Sequence, residues 1–239
     1  MINDRLKQIR DAERESHTEI YSSVDLFKEG SWLQKPVKTV LEIIPLLCNK
    51  KSLCVLDLGC GIGRNCIPIA KEFANATCKI DCIDILDLAI EKLNKNAELH
   101  NVSSSINGIV SAIEDYKIEQ DAYDLIISVS ALEHIDSKNS FINKLSEIEK
   151  GLKSGGIVCL IINADITEQD STSGIQLEPQ FEVNLPSNEL IQILNRSFKN
   201  YSILKESKVH QKYEIPRDNR TISLETNVIT LVAQKNNQI

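Results

Sequence analysis

The chain has 239 residues, 42% of them hydrophobic and 26% charged, with a formal net charge of -7. That length suits one domain with a sizeable core, and the acidic balance works against a general binder of nucleic acid or anionic membrane, whose phosphates need clustered Lys and Arg. No stretch approaches the roughly 18–20 apolar residues of a membrane span, and the charged first ten residues lack a signal peptide's apolar centre, so a soluble cytoplasmic protein is expected.

Along the chain, Ile2, Leu6 and Ile9 hint at a first helix, and Pro36 followed by Val37, Val40, Leu41 and Ile44 predicts a second with proline in its first turn. Neither buries its face alone, so residues 1–50 are expected to form a helical cap on a compact domain of residues 51–239. From residue 53 to about 160, apolar runs alternate with helical patterns. The runs are 53–58, 79–83, 106–110, 123–129 and 157–162. The helical segments are 64–73, 87–99 (Ala89, Leu93 and Ala97 on one face) and 141–152, the last ended by Gly155-Gly156. This order predicts an α/β fold with a parallel sheet covered by helices on both faces. Residues 163–186 read as a long polar loop. Ser187 is placed to cap a helix running to about Phe198, with Glu189 in its first turn. Residues 201–209 and 222–233 then form a hairpin through a polar turn at 216–220, so the sheet should end in antiparallel strands.

The stretch with most chemistry is LDLGCGIGRN, residues 56–65. Gly59, Gly61 and Gly63 allow a sharp bend and close approach to a ligand, and the N–H groups opening the next helix suit an anionic group. Asp57 sits inside the strand, where a carboxylate is costly unless paired. A ligand carrying both a carboxylate and an ammonium group satisfies the helix start and the acid together, and the amino-acid end of S-adenosylmethionine has both. Asp84 ends the second run, where it can accept from both ribose hydroxyls or merely cap the next helix; capping is left to Asp87. A dinucleotide cofactor fits poorly, because the G-x-G-x-x-G register puts Arg64 at the sixth position. Seven cysteines show no CxxC pair, and Cys54, Cys60, Cys66, Cys82 and Cys159 lie in or beside apolar runs. They read as small buried hydrophobes in a reducing compartment. His17, His100, His134 and His210 lack ligand-type spacing to them, so no metal is expected.

Four motifs in register resemble class I S-adenosylmethionine-dependent methyltransferases: LDLGCGIGRN, the step at Asp84, YDLIISVSALEHI at 123–135 and LKSGGIVCL at 152–160. The resemblance implies a Rossmann-like, seven-stranded, mostly parallel sheet with an antiparallel last strand. It also implies that Asp57, Gly59, Cys60, Gly61, Gly63 and Asn65 surround the methionine end of the cofactor. Asp84 would then hold the ribose and Ile85 pack on the adenine. Ser111-Ala112-Ile113 stands where the family often has an acid near the adenine amine, so Ala112 and Ile113 would serve through their backbone, with Glu114 as a neighbour. Val129 and Ser130 would line the pocket beside the methyl. The Gly-Arg-Asn ending and the C-terminal hairpin more loosely resemble tellurite-resistance-type methyltransferases.

His134 follows the fourth strand and is a candidate general base, or a residue orienting the loop. Trp32 reads as a packing anchor or, with Tyr21, as a lid over the cofactor. The expected function is methyl transfer to a small-molecule acceptor. A catalytically silent S-adenosylmethionine sensor is the alternative, and aminopropyl transfer is disfavoured because no acidic cluster follows the fourth strand.

Overall fold

A computed structural model describes residues 2–74, 77–217 and 220–237. Its central sheet runs β3-β2-β1-β4-β5-β8-β7, and the two-residue β6 (Gln176–Leu177) pairs with β5 off this path. Strands β1 (Ser52–Leu58), β2 (Thr77–Asp84), β3 (Ile106–Val110), β4 (Tyr123–Val129) and β5 (Leu152–Asp170) are mutually parallel. The long β8 (Arg220–Lys235) is antiparallel to both β5 and β7 (Tyr201–Arg217). This is the Rossmann-like α/β architecture expected, with β6 as an addition.

Alternation along each strand builds two apolar layers, because successive side chains leave opposite faces. Leu56, Leu58, Val158 and Leu160 pack under α5 (Lys138–Gly151) and α6 (Ser187–Ser197) through Phe141, Leu145, Leu190 and Leu194. Leu53, Val55, Ile80 and Ile157 face α2 (Lys38–Leu47), α3 (Cys66–Glu72) and α4 (Asp87–Leu99) through Ile43, Leu47, Ile67 and Leu93. A third cluster of Tyr21, Leu33, Ile62, Leu86 and Ala89 seats the N-terminal segment. The first helix, α1, is longer than the pattern suggested, at Ile2–Ser23.

Several local expectations need correction. The segment 163–186 is not all loop: β5 continues to Asp170, because residues 163–170 pair with β8. Ser187 does not cap α6; Pro186 holds that place, and the Ser187 hydroxyl donates to Asp165. Asp87 does not cap α4, whose Leu86 N–H is taken by Asp84. Pro36 precedes α2, which starts at Lys38. Helix α5 ends at Gly151, before the glycine pair, and Gly155 lies within β5. The expected hairpin turn falls partly on residues 218 and 219, outside the described residues.

Asp124 pins the edge of the layers far from the glycine turn. It accepts from the Lys50 and Lys153 ammonium groups at 2.8 Å each and from the Cys54 N–H at 2.9 Å. Burial alone would raise its pKa, but these donors hold it below the usual value. The stability it contributes is therefore present above about pH 4 and fades as pH falls below that. Asp124→Ala is expected to lower unfolding free energy by about 2–3 kcal/mol at pH 7, a deficit that shrinks in acid melts.

Candidate functional site

The sheet order reverses between β1 and β4, which opens a crevice beyond their carboxyl ends. There the chain leaves β1 through Gly59 at φ 77°, and the N–H groups of Gly59 and Cys60 donate to the Ile83 carbonyl at 2.8 and 2.9 Å. A Cβ at Gly59 would lie 2.2 Å from that of Ala131, so the close approach to the end of β4 requires glycine. Asp84 fastens the turn from the other side. Its Oδ2 accepts from the Gly61 N–H at 2.8 Å and its Oδ1 from the Leu86 N–H at 3.0 Å. At Gly61 a Cβ would meet the Tyr21 hydroxyl at 2.8 Å, so α1 reaches down onto the glycine turn.

A cavity of about 810 Å³ extends from this turn to the underside of α1. It takes in Gly59, Cys60, Gly61, Asn65, Asp84, Ile85, Ala112, Ile113, Val129, Ser130, Tyr21, Trp32 and His134. Two expected residues do not reach it. Gly63 sits against Ile67 and Leu93, which a Cβ would meet at 2.7 and 2.8 Å, so its lack of a side chain serves helix packing. Asp57 is buried beneath the turn, and its Oδ2 has no hydrogen-bond partner. Asn65 borders the cavity, but its Oδ1 accepts from the Val37 N–H at 3.0 Å and so holds the segment before α2. Glu114 lines the cavity beside Ala112 and Ile113 and pairs with Arg10 of α1. Trp32 is not a packing anchor. It is 50% exposed on the rim, with the Arg64 guanidinium 5.4 Å from its ring centroid, and the buried neighbour Leu33 does the anchoring.

Helix α1 is held mainly by charge. Arg5 donates to Glu178 at 2.7 Å, Arg10 pairs with Glu114 and Glu182, and Glu13 lies 3.2 Å from the His134 ring. His134 Nδ1 is also 3.0 Å from Glu182, and its ring stacks near Phe181. Burial would lower the His134 pKa, but the two carboxylates raise it well above the usual value. Nδ1 of His134, the ring nitrogen nearest the cap, thus faces two carboxylates. Beside it, buried Glu133 accepts from the Asn163 backbone and side chain, while the Val183 N–H bonds to the Glu133 carbonyl at 2.9 Å. Sequence reading missed Arg10, Glu13, Arg14, Glu182 and Tyr213, all of which line the cavity. The spacing of Arg10, Glu13, Arg14, His17 and Tyr21 puts them on one helical face, a signal that was available.

A parallel sheet with a glycine turn and an acid at its point of reversal defines a protein built to hold a nucleoside-bearing cofactor. The chain belongs to the methyltransferase-domain family, which matches residues 49–216; S-adenosylmethionine is the methyl donor implied. It is 29% identical over 134 residues to ajmaline N-methyltransferase of Rauvolfia serpentina, covering 56% of this chain and 43% of that one. With malonyl-acyl-carrier-protein O-methyltransferase 1 of Ilyobacter polytropus it shares 28% over 171 residues, 70% of this chain and 60% of that one. The matches thus span about half the length of these relatives. TehB of Haemophilus influenzae superposes with a TM-score of 0.62 at 19% identity, covering 83% of this chain and 62% of that chain, which shows a shared fold. Relatives named for tRNA substrates also match, so family membership leaves the acceptor open.

Burial, with the Asp84 charge nearby, pushes the Asp57 pKa up to about 7. Below about pH 4 folded and unfolded states both hold this proton; the penalty grows between pH 4 and 7 and is complete above 7. Asp57→Asn is therefore expected to melt above the parent at pH 8.5, with the gap closing toward pH 5. A gap that widens in acid would contradict this assignment.

Proposed function

We propose that this chain transfers the methyl group of S-adenosylmethionine to a small-molecule acceptor held beneath α1, with residues 1–50 acting as the cap. The observation that carries the reading is the single cavity that joins Gly59, Gly61 and Asp84 to Arg14, His17, His134 and Glu182. The donor end suits the cofactor chemically. Each oxygen of Asp84 binds one N–H and keeps a lone pair for a ribose hydroxyl. Ile85 and Ile113 offer flat apolar contact for a base.

When bound, the cofactor supplies an electrophilic methyl on a sulfonium. The chain's own contribution is alignment and exclusion of water: the glycine turn fixes the donor, Val129 and Ser130 border the path, and α1 closes over both. With His134 paired to two carboxylates, catalysis rests on positioning rather than on a base. The covered cavity and the net charge of -7 favour a compact acceptor over a nucleic acid. No helix among the described residues is long and apolar enough to cross a membrane. All seven cysteines are free, and burial pushes the Cys60 thiol up to about 12, which suits unreactive packing in a cytoplasmic setting.

S-adenosylhomocysteine at 100 times its dissociation constant is expected to stabilise the chain by about 2.7 kcal/mol, read as a thermal shift. Asp84→Asn should weaken that binding at least tenfold, or about 1.4 kcal/mol. No shift with the parent would overturn the donor reading. Incubation with S-adenosylmethionine and a panel of thiols, amines, phenols, carboxylates and chalcogen oxyanions should release S-adenosylhomocysteine with one acceptor class. Since Trp32 is the sole tryptophan, its fluorescence should change on cofactor binding; an unchanged spectrum would remove it from the lid.

A further inference from the structure

We propose that Glu13, His134 and Glu182 form a site for one divalent first-row transition ion at the acceptor end of the cavity. The three donor atoms come from α1, the turn after β4 and the segment after β6, yet all lie within 4.8 Å of one another. His134 Nδ1 is 3.2 Å from the Glu13 carboxylate and 3.0 Å from that of Glu182. Ligands about 2.1 Å from a shared octahedral ion sit roughly 3 Å apart, so the ring nitrogen already stands at ligand spacing from both acids. One imidazole with two carboxylates is a donor set for Mn2+ or Zn2+.

Two further observations point to a ligand rather than a closed ion pair. Nδ1 carries at most one hydrogen, so a proton serves one acid well and shares poorly with the other, whereas a divalent ion satisfies both. The Glu182 side chain is 1% exposed and lines the cavity; its Oε1 makes no hydrogen bond, and its positive partner is the Arg10 guanidinium in an ion pair at 3.5 Å, which leaves room for a closer cation. A carboxylate oxygen buried so deeply calls for a stronger positive charge. Coordination through both Glu182 oxygens supplies one.

The site would tie the cap to the core across α1, and its free positions would face the cavity. This deepens the methyl-transfer reading and rests on it in one respect only: the acceptor would then carry adjacent oxygen donors able to chelate the ion. The site itself is tested with the metal alone. The full chain is stripped with EDTA, desalted and titrated with Mn2+, with free Mn2+ counted by room-temperature electron paramagnetic resonance and Zn2+ used in competition. One Mn2+ should bind per chain, Zn2+ should displace it, and His134→Ala and Glu182→Gln should each weaken binding at least tenfold. Glu13→Gln, which removes the ligand that α1 contributes, should weaken binding to a similar degree, and circular dichroism reports whether each variant is folded. Absence of Mn2+ and Zn2+ binding by the parent, or equal binding by folded variants, overturns the proposal. A parent that binds S-adenosylhomocysteine but no metal defeats this inference and leaves the donor reading standing; the converse defeats the donor reading and leaves the metal site.

Discussion

The carboxylate of Asp84 holds two turns of the chain in one place, with the Gly61 N–H on one oxygen and the Leu86 N–H on the other. That clamp works with the bonds from the Gly59 and Cys60 N–H groups to the Ile83 carbonyl to fix the glycine turn against β2. Burial raises its pKa, while the two backbone donors favour the charged form. Such bonds to an ion are roughly twice as strong as neutral ones. Gly59 completes the constraint, since its contact with Ala131 leaves no room for a side chain. The part of the cavity beside the glycine turn is thus defined by backbone geometry and one acid.

The part of the cavity under α1 is built on another principle. Among its described residues α1 buries only Ile9 and Tyr21 as apolar side chains, while Arg5, Arg10 and Glu13 reach acids and a histidine of the core. Ion pairs of this partly exposed kind contribute little each and are weakened by salt. A cap fastened by charges along one face can be released and reset without disturbing the apolar layers beneath it.

The sequence was legible where apolar runs were continuous and bounded. Strands β3 and β4 and helix α4 begin and end where the pattern placed them, and the glycine turn and Asp84 meet at the crevice beyond the strand ends. It was opaque where polar residues occupy buried positions. From Ile162 to Asp170, β5 alternates inside and outside, but Glu168 and Asp170 are among its buried members, and Glu168 is held there by both guanidinium nitrogens of Arg217. A period-two signal written in acids reads as loop. The Glu13, His134 and Glu182 cluster was hidden for a different reason, because no local spacing records a meeting of three distant segments. The helix caps failed more simply: Asp165 and Asp84 claimed groups that Ser187 and Asp87 were expected to serve or satisfy.

The walls of the cavity also carry a consequence for assembly. One end comes from residues 59–62, 64–65, 84–86, 112–113 and 129–131, whereas the far end joins α1 to residue 182 and to Tyr213 on β7. A chain made from its N-terminus therefore has α1 early, with its partners around 178–182 still to be added. Contacts of such long sequence separation carry a large loop-closure cost and form late. The core can therefore condense before α1 completes the far wall of the cavity.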